Sequence, residues 1–169
     1  MANTYELIGS ITVGAGGTSS LEFTSIPNTY TDLCLLFSAR IDKVDVFDGL
    51  NIKVNNNTSN WSFRILNASS GTTFGSNGND DRWSVVNGAT STANIFTSGL
   101  LYLYNYAGSA VKTITHDAAM EINSLTNDYQ RVTSAMWNNS SAITSITIYD
   151  TGWNFVQYST AYLYGIKNT

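Results

Sequence analysis

Few side chains of this sequence have the types and spacing that catalysis requires. His116 is the one histidine, and its neighbour Asp117 cannot support it, because successive residues of a predicted strand point to opposite faces. A Ser-His-Asp triad needs the acid behind the imidazole, and the sequence has no Gly-x-Ser-x-Gly motif. We expect His116 to be a polar residue at or near the surface. Cys34, the one cysteine, is expected to be a small buried apolar side chain.

Glutamates offer the other route to catalysis. Glu6, Glu22 and Glu121 could supply the paired carboxylates of a glycosidase, but nothing in their spacing brings two of them together. The sequence therefore predicts a protein that is not an enzyme, with no catalytic residue and no cofactor. A glycoside-acting enzyme is the weakest alternative, and it would require that turnover be lost in a Glu121→Gln variant.

Two acidic stretches could bind calcium. Asp42, Asp45 and Asp48 lie at intervals of three, whereas an EF-hand loop places its ligands at every second residue and ends in a later glutamate. Asp80 and Asp81 form the other oxygen-rich stretch. We expect both stretches to be solvated turns, and the sequence predicts no metal site.

Composition argues against several classes of function. Charged residues make up 12% of the chain and the net charge is −4, so no basic surface is available for the phosphates of nucleic acid. No window holds the ~20 apolar residues of a membrane helix, and the first residues lack the pattern of a signal peptide. We therefore expect a soluble protein made in a cytoplasm. The low charge indicates that part of its surface is covered in an assembly.

Alternation of apolar and polar residues predicts an all-β fold. Residues 32–41 are apolar at both parities, which is typical of a strand inside a sheet. Residues 50–54 and 61–65 alternate on either side of an asparagine-rich turn and predict a hairpin. Residues 141–166 predict two strands joined by a longer aromatic loop. About ten such strands predict one domain over residues 1–169, an antiparallel β-sandwich and specifically a jelly roll.

The partner-binding residues are predicted from two polar stretches. Residues 67–82 consist mainly of Gly, Ser, Thr, Asn and Asp, and we expect a long functional loop there. The connection after residue 149 carries two aromatic side chains that fit an interface and the core equally well. The residues predicted from these stretches to contact a partner are Phe74, Asp80, Asp81, Trp153 and Phe155.

A row of tyrosines is a second aromatic feature. Tyr102, Tyr104 and Tyr106 share one face of a predicted strand. We interpret the row as covering a sheet or lining the sandwich, with the hydroxyl groups at its rim. Stacking on sugar rings or anchoring in a protein interface is the alternative.

Several phrases of the sequence resemble short virion proteins of tailed bacteriophages, notably phages of cyanobacteria and marine bacteria. In chain order these phrases are Ser25-Ile-Pro-Asn-Thr-Tyr-Thr-Asp-Leu33, Ser38-Ala-Arg40, Asn105-Tyr-Ala-Gly-Ser109, Ile143-Thr-Ser-Ile-Thr-Ile148, Phe155-Val-Gln-Tyr-Ser-Thr160 and Leu163-Tyr-Gly-Ile166. The resemblance implies a β-sandwich structural protein that decorates or cements a capsid, or that serves in a tail or fibre. It implies no catalytic residue.

The expected function is therefore that of a capsid decoration or cement protein located on the virion. Its partners would be the major capsid protein or other virion proteins and further copies of itself, with a homotrimer favoured. The N-terminal segment and the stretches 42–48 and 67–81 are expected to make the contacts. The alternative is a receptor- or carbohydrate-binding module of a tail fibre, with a glycan as partner.

Overall fold

The computed structural model describes residues 4–69, 72–122 and 129–167, and within these ranges it consists of β-strands, turns and loops without a helix. Twelve strands are described. They are β1 (Tyr5–Thr12), β2 (Ser20–Phe23), β3 (Asp32–Ala39), β4 (Phe47–Val54), β5 (Trp61–Ser69), β6 (Thr72–Gly78), β7 (Arg82–Asn87), β8 (Thr97–Tyr104), β9 (Lys112–Met120), β10 (Tyr129–Trp137), β11 (Ile146–Tyr149) and β12 (Thr160–Ile166).

The strands form two sheets in which every pairing between named strands is antiparallel. The large sheet has eight strands in the order β1-β12-β3-β8-β9-β10-β5-β6, and the small sheet has four in the order β2-β11-β4-β7. The small sheet lies against one face of the large sheet. The predicted all-β antiparallel sandwich is therefore confirmed, whereas the jelly roll stays a prediction.

Alternation along the strands determines which face each sheet buries. In β5, Trp61, Phe63 and Ile65 are buried while the residues between them are partly or fully exposed. In β4, Leu50 and Ile52 are fully buried from the opposite sheet. The side chains of both sheets meet in one apolar layer, and burying such side chains is the main driving force for closing a sandwich.

The strand over residues 32–41 lies where the sequence predicts it. β3 is an interior strand between β12 and β8. Leu33 and Leu35 point into the core and are fully buried, and Cys34 is buried as expected. Leu36 is 38% exposed, however, so the second face of this strand is not covered within the chain.

The hairpin predicted for residues 50–54 and 61–65 is wrong. β4 pairs with β11 and β7 in the small sheet, whereas β5 pairs with β10 and β6 in the large sheet. The connection crosses from one sheet to the other, with Asn55, Asn56 and Asn60 at positive φ angles of 49°, 56° and 64°. The asparagine-rich turn is where the sequence predicts it. The pairing is wrong because two strands that each bury one face can be neighbours in one sheet or can face each other from two sheets.

The long loop predicted for residues 67–82 is wrong for the residues that the structure describes, while residues 70 and 71 lie outside them. Residues up to Ser69 belong to β5, and Thr72–Gly78 form β6, which pairs with β5. At the end of this pairing Gly78 faces Phe63, and a Cβ atom at Gly78 would lie 2.3 Å from the Phe63 ring. Gly78, one of the glycines that indicated a loop, therefore fits an edge strand at a position where the partner strand carries a bulky ring.

The two C-terminal strands do not pair with each other. β11 lies between β2 and β4 in the small sheet, and β12 lies between β1 and β3 in the large sheet. The longer connection predicted between them is confirmed, and it spans the two layers.

The predicted row of three tyrosines on one strand is split. Tyr102 and Tyr104 lie on β8, whereas Tyr106 lies beyond the end of this strand. Tyr106 is fully buried, and its hydroxyl donates to the Pro27 carbonyl.

Asn55 fixes the sheet-crossing turn, and its replacement tests this role. Its amide donates to Ala142 O (2.8 Å), and its side-chain oxygen accepts from the backbone N–H groups of Thr144 (2.7 Å) and Ser145 (3.2 Å). We expect Asn55→Ala to lower the free energy of unfolding by about 2–3 kcal/mol, since several hydrogen bonds are lost together. Chemical denaturation measures the change.

Asn56→Ala is the matched control. Asn56 also has a positive φ, but its side chain is exposed and accepts one hydrogen bond, from Lys53. Both variants place alanine in the left-handed region, so the difference between them isolates the cross-turn hydrogen bonds. Equal losses of stability in the two variants would show that backbone strain alone fixes this turn.

Candidate functional site

His116 is a core residue and not a surface residue, so the expectation from sequence is corrected. It is 2% exposed, its Nδ1 lies 2.9 Å from Leu100 O, and its ring lies between Phe37 and Trp83 at centroid distances of 6.1 and 5.6 Å. Burial lowers the pKa of His116 to about 4, so the imidazole is neutral at physiological pH. Asp117 points to the other face of the sheet, as predicted, and it is exposed. This geometry gives His116 a structural role.

The described residues contain no group of three or more His, Cys, Asp or Glu side chains that could hold a metal ion. In the first acidic stretch, Asp48 forms ion pairs with Lys43 (2.9 Å) and Arg82. Burial alone would raise the pKa of Asp48, but the hydrogen bonds from Lys43 and the Gly49 N–H and the charge of Arg82 outweigh it and lower the pKa. Asp42 accepts the Asn154 N–H at 2.8 Å. These carboxylates are occupied by protein donors.

The five predicted partner-binding residues divide into exposed and buried ones. Phe74 on β6 is 45% exposed, Asp80 is exposed, and Trp153 after β11 is 39% exposed, so these three stay available to a partner. Phe155 is fully buried, and its backbone bridges to residues 18 and 41. Asp81 is 5% exposed. The expectation of a surface contact is therefore corrected for Phe155 and Asp81.

Asp81 is buried because it anchors the small sheet. One carboxylate oxygen accepts from Asn51 Nδ2 at 3.0 Å, and the other accepts a short hydrogen bond from the Tyr149 hydroxyl. Burial and this hydrogen bond to a carboxylate raise the pKa of Tyr149. Asp81 thus holds the outward side of β4 and β11 in a fixed arrangement.

A broad exposed surface lies on the side of the large sheet that faces away from the core, and we call it the large-sheet face. The strand register places Tyr162, Leu36, Leu100, Asp117, Val132 and Leu66 side by side in one row across six strands. The apolar members of the row are 37–54% exposed. Tyr104 (44%) and Met136 (43%) extend the apolar surface to one side.

The large-sheet face carries few charges. On its six interior strands, the exposed charged side chains that point outward are those of Asp117 and Arg64. A third outward carboxylate, Asp32, is buried and accepts from the Tyr102 hydroxyl at 2.9 Å and from the Asn105 N–H at 2.7 Å. Burial and the bond to Asp32 raise the pKa of Tyr102 to about 12, so the tyrosine stays neutral. The face is therefore mostly uncharged and partly apolar.

The opposite surface of the sandwich is polar, and we call it the small-sheet face. Glu22, Thr147 and Lys53 form one row across β2, β11 and β4, and Tyr149 and Asn51 belong to the row beside it. A cleft of about 630 Å³ lies along these rows. The alternation of polar residues could predict that these side chains face outward, but their neighbours depend on a register that the sequence does not reveal.

Arg40 supports the loop between β7 and β8. It is 8% exposed, and its guanidinium donates to four backbone carbonyls, those of Thr92 (2.7 Å), Ile95 (2.9 Å), Ala89 (3.0 Å) and Ser91 (3.0 Å). Burial lowers the pKa of this guanidinium. The supported loop borders a second cleft, of about 510 Å³.

Comparison of the chain with protein-family models, with curated proteins and with solved structures found no match. Within the described ranges there is also no helix of the length and apolar character needed to cross a membrane. The arrangement of the two faces is therefore the basis for assigning a function.

Acid should destabilise the fold through His116. Its pKa is about 4 in the folded protein against 6.5 for the free side chain, so the unfolded chain binds more protons between these values. The stabilising contribution is complete above pH 6.5, is lost as the pH falls to about 4, and amounts to about 3 kcal/mol. Urea denaturation measured across this range for the wild type and His116→Gln tests it. Because His116 is the only histidine, parallel curves for the two proteins would contradict the prediction.

Replacing Arg40 should loosen one loop more than the rest of the fold. A lysine cannot donate to four carbonyls from the planar fork of a guanidinium, so we expect Arg40→Lys to lower the free energy of unfolding by about 2 kcal/mol or more. Hydrogen exchange should accelerate first in the loop between β7 and β8. Arg64→Lys, on the exposed large-sheet face, is the matched control and should change neither quantity. Unchanged exchange in Arg40→Lys would refute the supporting role.

Proposed function

We propose that this chain is a structural protein of a bacteriophage virion, a capsid decoration or cement protein whose large-sheet face binds the protein shell. The observation that carries the proposal is the breadth of that face together with its low charge. The proposed role is adhesion, and the proposed occupant of the face is the major capsid protein.

The size of the large-sheet face supports this proposal. Eight strands at a spacing of about 4.8 Å span about 38 Å, and strands of seven to nine residues span about 25 Å. The footprint is therefore about 950 Å², somewhat more than the roughly 800 Å² that each partner contributes to a standard interface. A contact of this size needs no second site on the same molecule.

The chemistry of the face supports the same occupant. Interface centres are depleted in charge and enriched in aromatic side chains and methionine, and the face offers Tyr104, Tyr162 and Met136 together with four exposed aliphatic side chains. Asp117 and Arg64 are single charges of opposite sign that can specify orientation. A shell presents the same binding site many times, so modest contacts multiply over the lattice.

The order of the strands supports a jelly-roll origin for the sandwich. β1 pairs with β12, β2 with β11, β3 with β8, and β4 with β7, which is the nested pairing of one long hairpin wound into two layers. The remaining strands, β9, β10, β5 and β6, extend the large sheet beyond β8. Jelly rolls serve in capsids and in lectins, so this step is an argument from fold analogy.

Self-association is part of the proposal, with a trimer as the expected state. β6 is an exposed edge strand without a charged residue, whereas the other edge, β1, has a bulge between Leu7 and Gly9 and an ion pair between Glu6 and Lys167. An edge strand that has neither a bulge nor a charged side chain can pair with a strand of another chain. Sedimentation equilibrium measures the state, and a monomer would remove this part of the proposal.

Charge placed on the large-sheet face should prevent capsid binding. Leu66 is 54% exposed at the end of the apolar row, so Leu66→Lys leaves the core unchanged and puts an ammonium group into the contact. We expect affinity for purified empty shells of the encoding phage to fall at least tenfold, which corresponds to about 1.4 kcal/mol. Cosedimentation with the shells measures the loss, and thermal unfolding of the free variant checks that it folds.

Val44→Lys is the control, on the stretch 42–48 that the sequence offered as a contact. Val44 is 79% exposed and lies outside both sheets. Full binding by Val44→Lys and weakened binding by Leu66→Lys support the proposal. Weakened binding by Val44→Lys and full binding by Leu66→Lys would show that the shell contact lies in the stretch 42–48. Wild-type protein that binds no shell would overturn the proposed function.

A further inference from the structure

The small-sheet face contains a cleft that the proposed contact with the shell leaves unused. Its volume is about 630 Å³, and it lies over β2, β11 and β4 on the side away from the core. The residues that line it are mainly hydroxyl-bearing, amide or charged, and they include Glu22, Lys53, Asn56, Thr147, Tyr149 and Asp150. A ligand of this cleft must therefore be polar.

The register places an acceptor and a donor on opposite sides of the cleft. Thr147 on the central strand pairs with Glu22 on one side and with Lys53 on the other, so the backbones of the latter two are about two strand spacings, or about 10 Å, apart. No described residue forms a hydrogen bond or an ion pair with the exposed Glu22 carboxylate. The Lys53 ammonium lies 4.9 Å over the Tyr149 ring and donates to Asn56 Oδ1 at 2.6 Å. A ligand can lie between the two charges over Thr147.

A buried carboxylate in the cleft lacks part of its hydrogen bonding. Asp150 is 7% exposed, and one of its oxygens accepts the Gly152 N–H at 3.0 Å. Its other oxygen has no partner among the described residues, and the same holds for the side-chain oxygen of the neighbouring, buried Asn51. Both of these oxygens have almost no exposed surface, so the carboxylate that the cleft presents to a ligand without rearrangement is that of Glu22, which is exposed.

The rigidity of the cleft favours recognition without rearrangement. The Tyr149 hydroxyl is fixed by Asp81, and Asp81 is fixed by Asn51, so the aromatic ring that holds Lys53 has one orientation. Because this floor is part of a sheet, its groups stay in place when the cleft is empty. Preorganisation of this kind lowers the cost of binding.

The charges restrict the class of ligand. Glu22 and Asp150 disfavour an anion, and two carboxylates beside the Lys53 ammonium are too few oxygens and too much positive charge for calcium. A neutral ligand with many hydroxyl groups satisfies all of these groups, since each hydroxyl can donate to a carboxylate or accept from an ammonium or amide. We infer that the cleft of the small-sheet face binds a neutral saccharide. This site is independent of the contact that the large-sheet face makes.

Titration of the ¹⁵N-labelled full chain with single sugars tests the inference. The probes are glucose, galactose, mannose and N-acetylglucosamine, with N-acetylneuraminic acid as the anionic comparison. At least one neutral sugar should shift amide signals of β2, β11 and the end of β4, and the acid should not. Failure of all four neutral sugars, binding of the acid alone, or shifts confined to other strands would overturn the inference.

A conservative variant locates the site. Glu22→Gln keeps the shape of the side chain and removes the charge, and it should weaken binding of the responding sugar at least tenfold. Asp117→Asn makes the same change on the large-sheet face and should bind like the wild type. Because Glu22 is exposed, its variant should retain wild-type thermal unfolding. Wild-type sugar binding by Glu22→Gln would refute the assigned site.

The shell-binding proposal and the saccharide proposal can be refuted independently of each other. Glu22→Gln should bind empty shells as the wild type does, and Leu66→Lys should bind the sugar as the wild type does. Loss of shell binding in Glu22→Gln would place the shell contact on the small-sheet face and overturn the saccharide assignment. Loss of sugar binding in Leu66→Lys would likewise show that the sugar occupies the other face.

Discussion

The strict alternation of side chains along each strand is the constraint on which this molecule depends. A strand that buries Trp61, Phe63 and Ile65 must turn the residues between them to the other side of the sheet. Because the core lies between two sheets, each sheet keeps one outward face, and whatever the chain places at the intervening positions becomes its surface. The large sheet has leucine, valine and tyrosine there, whereas the small sheet has glutamate, lysine and threonine. Forming one shared core therefore leaves two outward faces, and the residues at the intervening positions make these faces chemically different.

Buried cations hold the loops that connect the strands. Arg40 donates to four carbonyls of the loop between β7 and β8, and Lys112, which is 1% exposed, donates to carbonyls of residues 108, 110 and 140. Neither side chain has a carboxylate partner among the described residues, so the backbone itself satisfies the charge. Burial lowers the pKa of both groups, and removing either would leave several carbonyls in a dry interior without donors. Because these hydrogen bonds hold their carbonyls, the loops adopt a defined conformation although they lack regular secondary structure.

The sequence predicts the class of fold because alternation is a local property. It identifies β3 as an interior strand and separates His116 from Asp117 across a sheet. It cannot decide which strands pair, because residues 50–54 and 61–65 bury the same kind of face whether they are neighbours in one sheet or opposite each other in two. The same limit applies to Phe155 and Asp81. The sequence left both the core and an interface open for Phe155, and it gave no indication that the Tyr149 hydroxyl and Asn51 bind the Asp81 carboxylate. The apolar row of the large-sheet face arises from five strands and becomes visible only when their register is known.

Two faces of opposite character on one rigid sandwich make the two proposed contacts compatible. The row from Tyr162 to Leu66 and the row from Glu22 to Lys53 lie on the outer sides of different sheets, so an occupant of one leaves the other accessible. A chain attached to a repeating shell through its large-sheet face would present many copies of the polar cleft at fixed spacing. Single sugar contacts that are weak would then act together, because the second contact is made at high effective concentration. Weak binding by one cleft is therefore consistent with function on a particle, where the number of copies supplies the avidity.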